Sequence, residues 1–242
     1  MRVHRCALIV IDMQRDFLDP RGYVAQTGVD VSLLRVTIEP VQRLLAGARA
    51  LGIRVIHTRE GHRPDLTDLT EFKRQRTVGS GAPIGSRGPL GRLLVRGEFG
   101  HDIVDEVAPW PDEAVIDKPG FGAFYATDLE LLLRAGEVTH LVLAGVTTDI
   151  CVHSTLREAV DRGFYCTTVA DACAAGDPEV HAAMLKCIAG EGNILGRVMA
   201  ADAVIREWHN QQQVAKVGRV AEATPHEPVG MPESSGDNSQ RG

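Results

Sequence analysis

The stretch Cys6–Ile11, CALIVI, is an unbroken run of apolar and β-favouring residues that stops abruptly at Asp12. A strand with one face in water alternates apolar and polar residues, whereas an unbroken run fits a strand covered on both faces by helices. Asp12 is then an acid at the carboxyl end of a buried strand. Short runs of the same kind recur at Arg54–Thr58, Ala114–Asp117, His140–Gly145 and Tyr165–Ala170, with a last one near Arg197–Met199. Between them, apolar residues fall at helical spacing over Ile38–Leu51, which Gly52 stops, and near Asp128–Arg134. Further helices are expected from about Asp149 to Arg162, over Pro178–Gly190 and over Ala201–Trp208. Alternating strands and helices predict an α/β fold, a parallel sheet between two helical layers joined by right-handed crossovers. Ligands of such sheets bind beyond the carboxyl ends of the strands.

Two segments depart from this rhythm. From Arg59 to Glu113 the pattern is weak and rich in Gly, Pro and charge, which predicts a long excursion carrying only short elements. Beyond about Asn210 the chain is polar and poor in core residues. The expected organisation is one domain over 1–209 and a disordered tail over 210–242.

The whole chain has 242 residues, 44% hydrophobic and 24% charged, enough for one large core. A net charge of -6 disfavours nucleic acid and anionic membrane surfaces, both of which require a basic face. A small molecule is the easier partner. The amino-terminal apolar run is too short for a signal-peptide core, and no apolar stretch approaches the ~18 residues of a membrane span. Five cysteines without framework spacing predict reduced thiols and a cytoplasmic protein.

Cys151 lies in LAGVTTDICVHSTLREAV, where a buried strand ends at Gly145 and a tight turn opens a helix. Unpaired N–H groups and the positive end of the helix dipole there favour thiolate. A lone cysteine at such a place is more often a small packed residue. Asp12 and Lys118 each follow a strand too, so an acid, an ammonium and a thiol share the carboxyl edge of the sheet.

IDMQRDF, DKPGFGAF and GVTTDIC, in that order, resemble the three sequence blocks of the isochorismatase-like cysteine hydrolases, over about residues 5–208. The resemblance implies a six-stranded parallel sheet between helices, with Asp12, Lys118 and Cys151 as the catalytic triad. It also implies a cis peptide at Val146–Thr147 and an oxyanion hole formed by the backbone N–H groups of Thr147 and Cys151. In the mechanism so implied, Asp12 takes the thiol proton, Cys151 attacks a carbonyl, and water later cleaves the thioester. No cofactor is required.

Cys151 together with Lys118 points to the amide-cleaving branch rather than to vinyl ether hydrolysis. Nicotinamidase-like members hold a divalent metal. Glu60 and His62 stand in similar places here, but His101 is distant, so the ligand set is short and no metal is expected. HTREGHRPDLTDL and DKPGFGAFYATDLELLL resemble most the biuret and ureidoacrylate amidohydrolases, whose substrates are small ureides. Phe17 matches a pocket position of that branch. Glu191 falls where those members carry a glutamine at the substrate's far end, and a carboxylate there favours a cationic ureide such as guanylurea. The family also implies an even-numbered homo-oligomer. A non-catalytic binding version of the fold is the competing reading from another class.

Overall fold

The computed structural model describes residues 3–222. In chain order it runs β1 (Cys6–Ile11), α1 (Ile38–Ala50), β2 (Arg54–Glu60), α2 (Glu71–Gly79), β3 (Ala114–Lys118), α3 (Leu129–Ala135) and β4 (His140–Val146). Then follow α4 (His153–Asp161), β5 (Tyr165–Ala174), α5 (Pro178–Ile188), β6 (Arg197–Met199) and α6 (Ala201–Glu222). The strands form one six-stranded sheet in the order β3-β2-β1-β4-β5-β6. All of its pairings are parallel.

Every residue of β1 is buried, as the unbroken apolar run requires. Alternate residues serve the two layers. Leu8 and Val10 pack with Val41, Leu44 and Ala48 of α1 and with Val204 and Trp208 of α6. Ala7, Ile9 and Ile11 pack with Leu129 and Leu133 of α3, Leu156 of α4 and Ile188 of α5. Full burial of one such side chain contributes roughly 1.5–3 kcal/mol, so a strand buried on both faces anchors both layers at once.

The chain lays β1, β2 and β3 in one direction and then crosses to place β4 on the other side of β1. Strand order therefore reverses between β1 and β4, the point where such sheets open a ligand crevice. Gly145 permits the close approach there. Its φ is +119°, and an added Cβ would lie 2.0 Å from the Ile11 carbonyl oxygen. No other residue fits.

Several boundaries differ from those read in the sequence. β2 continues past Thr58 to Glu60, and β5 past Ala170 to Ala174. In β2 the extension is held by pairing of Arg59 and Glu60 with Asp117 and Lys118, a tertiary pairing that local polarity hides. The boundary placed at 209/210 falls inside a helix, because α6 runs on through Asn210 to Glu222. The segment QQQVAKV has no proline and consists largely of residues that tolerate a helix. The rest of the expected tail, 223–242, lies outside the described residues. Among the described residues no helix is long and apolar enough to cross a membrane.

Candidate active site

Asp12, Lys118 and Cys151 meet beyond the carboxyl ends of β1, β3 and β4. Asp12 turns the chain sharply out of β1 with a φ of 51°. Its N–H donates to the Thr58 carbonyl at 3.1 Å, and its Oδ1 accepts from Thr58 Oγ1 at 2.6 Å. β2 thereby fixes the carboxylate from beneath. Lys118 ends β3 and is fully buried, with Nζ 2.7 Å from Asp12 Oδ2. It also donates to the carbonyls of Gly120 and Phe121 at 3.1 and 2.9 Å. Cys151 sits in a single π turn, Thr148–Val152, that continues directly into α4. Such turns are uncommon and concentrate at functional sites. The Val146–Thr147 peptide is cis.

A second carboxylate completes the group. Glu60, the last residue of β2, lies opposite Lys118 in the strand register, so the two side chains leave the same face. Its Oε2 accepts from Cys151 Sγ at 3.4 Å and is 3.8 Å from Lys118 Nζ. Its Oε1 is 2.5 Å from Nζ of Lys73, which reaches down from α2 and also donates to the Pro119 carbonyl at 2.7 Å. Ligand atoms of Asp12, Glu60 and Cys151 all lie within 4.8 Å of one another.

Burial and charge divide the labour among these groups. Burial raises the Asp12 carboxyl, Lys118 pulls it down, and the neighbouring Glu60 pushes it up again, with a net rise. Burial also works to raise Glu60, but Lys73 and Lys118 outweigh it and hold this carboxylate below its ordinary value. One carboxyl is thus disposed to carry a proton and the other to stay ionised, the separation that marks acid–base roles. Lys118 keeps its charge because Asp12, Cys151 and Glu60 together overcome its burial. Burial lifts the Cys151 thiol well above its ordinary value against the pull of Lys118. Burial, reinforced by the carboxylates of Asp12 and Glu60, thus outweighs the ammonium, and the sulfur is disposed to stay a thiol although it lies near a helix start.

A cavity of about 440 Å³ opens onto the sulfur. Phe17, Tyr23, Glu60, Phe121, Thr147 and Cys151 are among its lining residues. Glu191 is not brought to the site. It is exposed just past α5, does not line the cavity, and has a left-handed backbone with φ 49°. The helix ends at Ile188 and the chain turns away there, so the alignment with a substrate-reading position fails.

The candidate metal ligands do not converge either. Glu60 faces Cys151, His62 Nδ1 pairs with Asp68 at 3.2 Å, and His101 Nε2 faces Asp117 at 3.7 Å. Among the described residues the one close set of potential ligands is Asp12, Glu60 and Cys151, and it already surrounds the Lys118 ammonium. His101 has a different consequence. Burial holds its imidazole below the usual value, so its contribution to stability is complete above about pH 6.5 and is lost as the pH falls below that. Acidification from pH 7 to 5 is expected to lower Tm, and His101→Gln to flatten that fall by about 2–4 °C for each kcal/mol removed. Thermal melts at the two pH values check this; parallel curves for variant and wild type would refute it.

Residues 6–202 match the isochorismatase domain. The chain is 30% identical to the ureidoacrylate amidohydrolase RutB of Acinetobacter baylyi over 222 residues, covering 87% of this chain and 86% of that protein. The RutB of Methylorubrum extorquens is 35% identical over 193 residues, 75% of each chain. Among solved structures, a cysteine hydrolase from Pseudomonas syringae superposes with a TM-score of 0.75 at 27% identity, over 87% of this chain and 95% of the other. The N-carbamoylsarcosine amidase of Thermoplasma acidophilum gives 0.64 at 26% identity, over 84% and 98%. With its sheet, its crevice and this match over most of its length, the chain belongs to the isochorismatase family.

Proposed function

We propose that this isochorismatase-family amidohydrolase cleaves a C–N bond of a small ureide and releases ammonia by way of a Cys151 thioester. The observation that carries the reading is the position of the Cys151 thiol beside the Asp12–Lys118 pair, itself closed at 2.7 Å. Asp12 takes the thiol proton as sulfur bonds to the carbonyl carbon, and the carbonyl oxygen becomes an oxyanion facing the N–H groups of Thr147 and Cys151. Asp12 returns the proton to the leaving nitrogen as the C–N bond breaks. Water, deprotonated by Asp12, then adds to the thioester, the C–S bond breaks, and the thiol is restored. Lys118 keeps the reacting group near neutrality throughout.

Several observations support a ureide. The relatives reported above are named for ureidoacrylate and N-carbamoylsarcosine, both of which carry a urea-type carbonyl. The nicotinamidase alternative has less support, because Glu60, His62 and His101 face different partners. A purely binding role has less support still, since a scaffold has no need of a buried ammonium between two carboxylates beside a thiol. Between guanylurea and biuret, the argument for a cation rested on Glu191, which does not line the cavity. Of the acidic residues that line the cavity, Glu60, Asp149 and Asp177, Glu60 is the one hydrogen-bonded to the Cys151 thiol, and Lys73 already neutralises it. A neutral ureide of the biuret type is therefore the better fit.

Ammonia release from biuret, guanylurea, ureidoacrylate-like acids, N-carbamoyl amino acids and nicotinamide tests this. A ureide is expected to exceed nicotinamide in kcat/KM by at least about a hundredfold. Preference for nicotinamide, or inactivity on the whole panel, would sink the reading.

A further inference from the structure

We propose that Glu60 accepts the N–H of the nitrogen that stays on the attacked carbonyl, so that the site selects urea-type carbonyls over simple carboxamides. The inference rests on the ureide reading above and names the residue that enforces it. A urea-type carbonyl carries nitrogen on both sides. Asp12 serves the nitrogen that leaves. The other nitrogen needs an acceptor beside the nucleophile, and Glu60 Oε2 is 3.4 Å from the sulfur and lines the cavity.

The two oxygens of Glu60 are not equivalent. Lys73 Nζ holds Oε1 at 2.5 Å, which leaves Oε2 directed at the sulfur. At rest the thiol supplies Oε2 with a donor. Once that proton moves to Asp12, Oε2 is left facing a thiolate in a buried site, and an ionised oxygen so placed requires a new donor. The N–H of a ureide provides one at the moment the carbon–sulfur bond forms. A carboxamide presents C–H there and leaves Oε2 without a hydrogen-bond donor, which is the arrangement that gives strong discrimination between isosteres.

The test uses pairs that differ only by NH against CH2 at this nitrogen: biuret with malonamide, and 3-ureidopropionate with glutaramate. Kcat/KM is measured for each pair in the wild-type enzyme and in Glu60→Gln. The glutamine matches the glutamate in shape, but Lys73 claims its single carbonyl oxygen and turns the NH2 toward the substrate. The wild-type preference for the ureide is expected to shrink in Glu60→Gln by about tenfold to a hundredfold, most of it through loss on the ureide. An equal loss on both members of each pair would overturn the proposal, because it would mean that Glu60 acts on the thiol alone; so would an unchanged preference. Biuret methylated on its central nitrogen gives an independent readout in the wild-type enzyme, where its kcat/KM is expected to fall at least about tenfold below that of biuret; equality would count against the proposal. Should the wild type hydrolyse no ureide, the ureide reading itself fails and this inference with it. Turnover of ureides with a selectivity indifferent to Glu60 removes the inference alone.

Discussion

Cys151→Ser is expected to lower ureide turnover by at least about a thousandfold while leaving the protein folded, with Tm within a few degrees of wild type. The sulfur can attack because Asp12, a carboxyl raised by burial and so a stronger base than an ordinary carboxylate, stands ready to take its proton. A serine hydroxyl is a far weaker acid than a thiol. A carboxylate, even a raised one, is a poor base for it, and the described groups beside the sulfur, Asp12, Glu60 and Lys118, include no histidine to assist. The fold survives because the change is small. Serine fills nearly the volume of the thiol, and its hydroxyl can donate to Glu60 Oε2 as the thiol does. Ammonia release and circular dichroism on the same preparation separate the two effects. Turnover near the wild-type rate would exclude Cys151 as the nucleophile, and a collapsed spectrum would show that the residue is needed for packing.

The residues of this site were unevenly legible in the sequence, for physical reasons. Asp12 and Lys118 could be found because each follows a β run, and their shared place with Cys151 at the carboxyl edge of a parallel sheet outweighs the structural reading that each has alone. The parallel sheet followed from the same runs, and its six strands from the family resemblance. Glu60 was visible only as a loop residue and weak metal candidate, because Arg59 and Glu60 are polar and local reading ends the strand at Thr58. The pairing with β3 that carries the strand two residues further is a tertiary fact. The period-2 rule would have helped: Thr58 and Glu60 lie on one face, and both contact the group around Asp12 and Cys151. Lys73 had no local signal at all, since it arrives from a helix within the weakly patterned excursion.

The charge balance of the thiol was also hidden. A helix start near an ammonium favours thiolate, but complete burial, with two carboxylates close to the sulfur, favours the thiol. Glu191 failed for the opposite reason. Its placement depended on an alignment through a helix end, and the left-handed turn from Glu191 to Asn193 is not written in apolar periodicity.

Lys118→Met is expected to destabilise the protein by about 3–5 kcal/mol, the cost of removing one partner from a buried charge cluster. At this chain length that corresponds to roughly 6–20 °C in Tm. Lys118 is fully buried between Asp12 at 2.7 Å and Glu60 at 3.8 Å, so its loss strips Asp12 of its ammonium. Glu60 suffers less, because Lys73 still holds Oε1. Methionine nearly fills the space but cannot donate to the carbonyls of Gly120 and Phe121, which adds to the loss. The pH dependence identifies the cause. Without its ammonium Asp12 is harder still to ionise, so its folded-state value moves further above the unfolded one. A group displaced upward favours the folded state below its unfolded value and loses that contribution as the pH rises through its folded value. The gap between variant and wild type is therefore expected to widen from pH 5 to pH 8. Adding Asp12→Asn to Lys118→Met removes the orphaned charge and is expected to recover most of the stability, while activity stays absent. Denaturant unfolding of the four proteins of this cycle gives the coupling energy directly. If Lys118→Met melts with the wild type at every pH, the ammonium does not hold the carboxylates together, and the electrostatic account of the site is wrong.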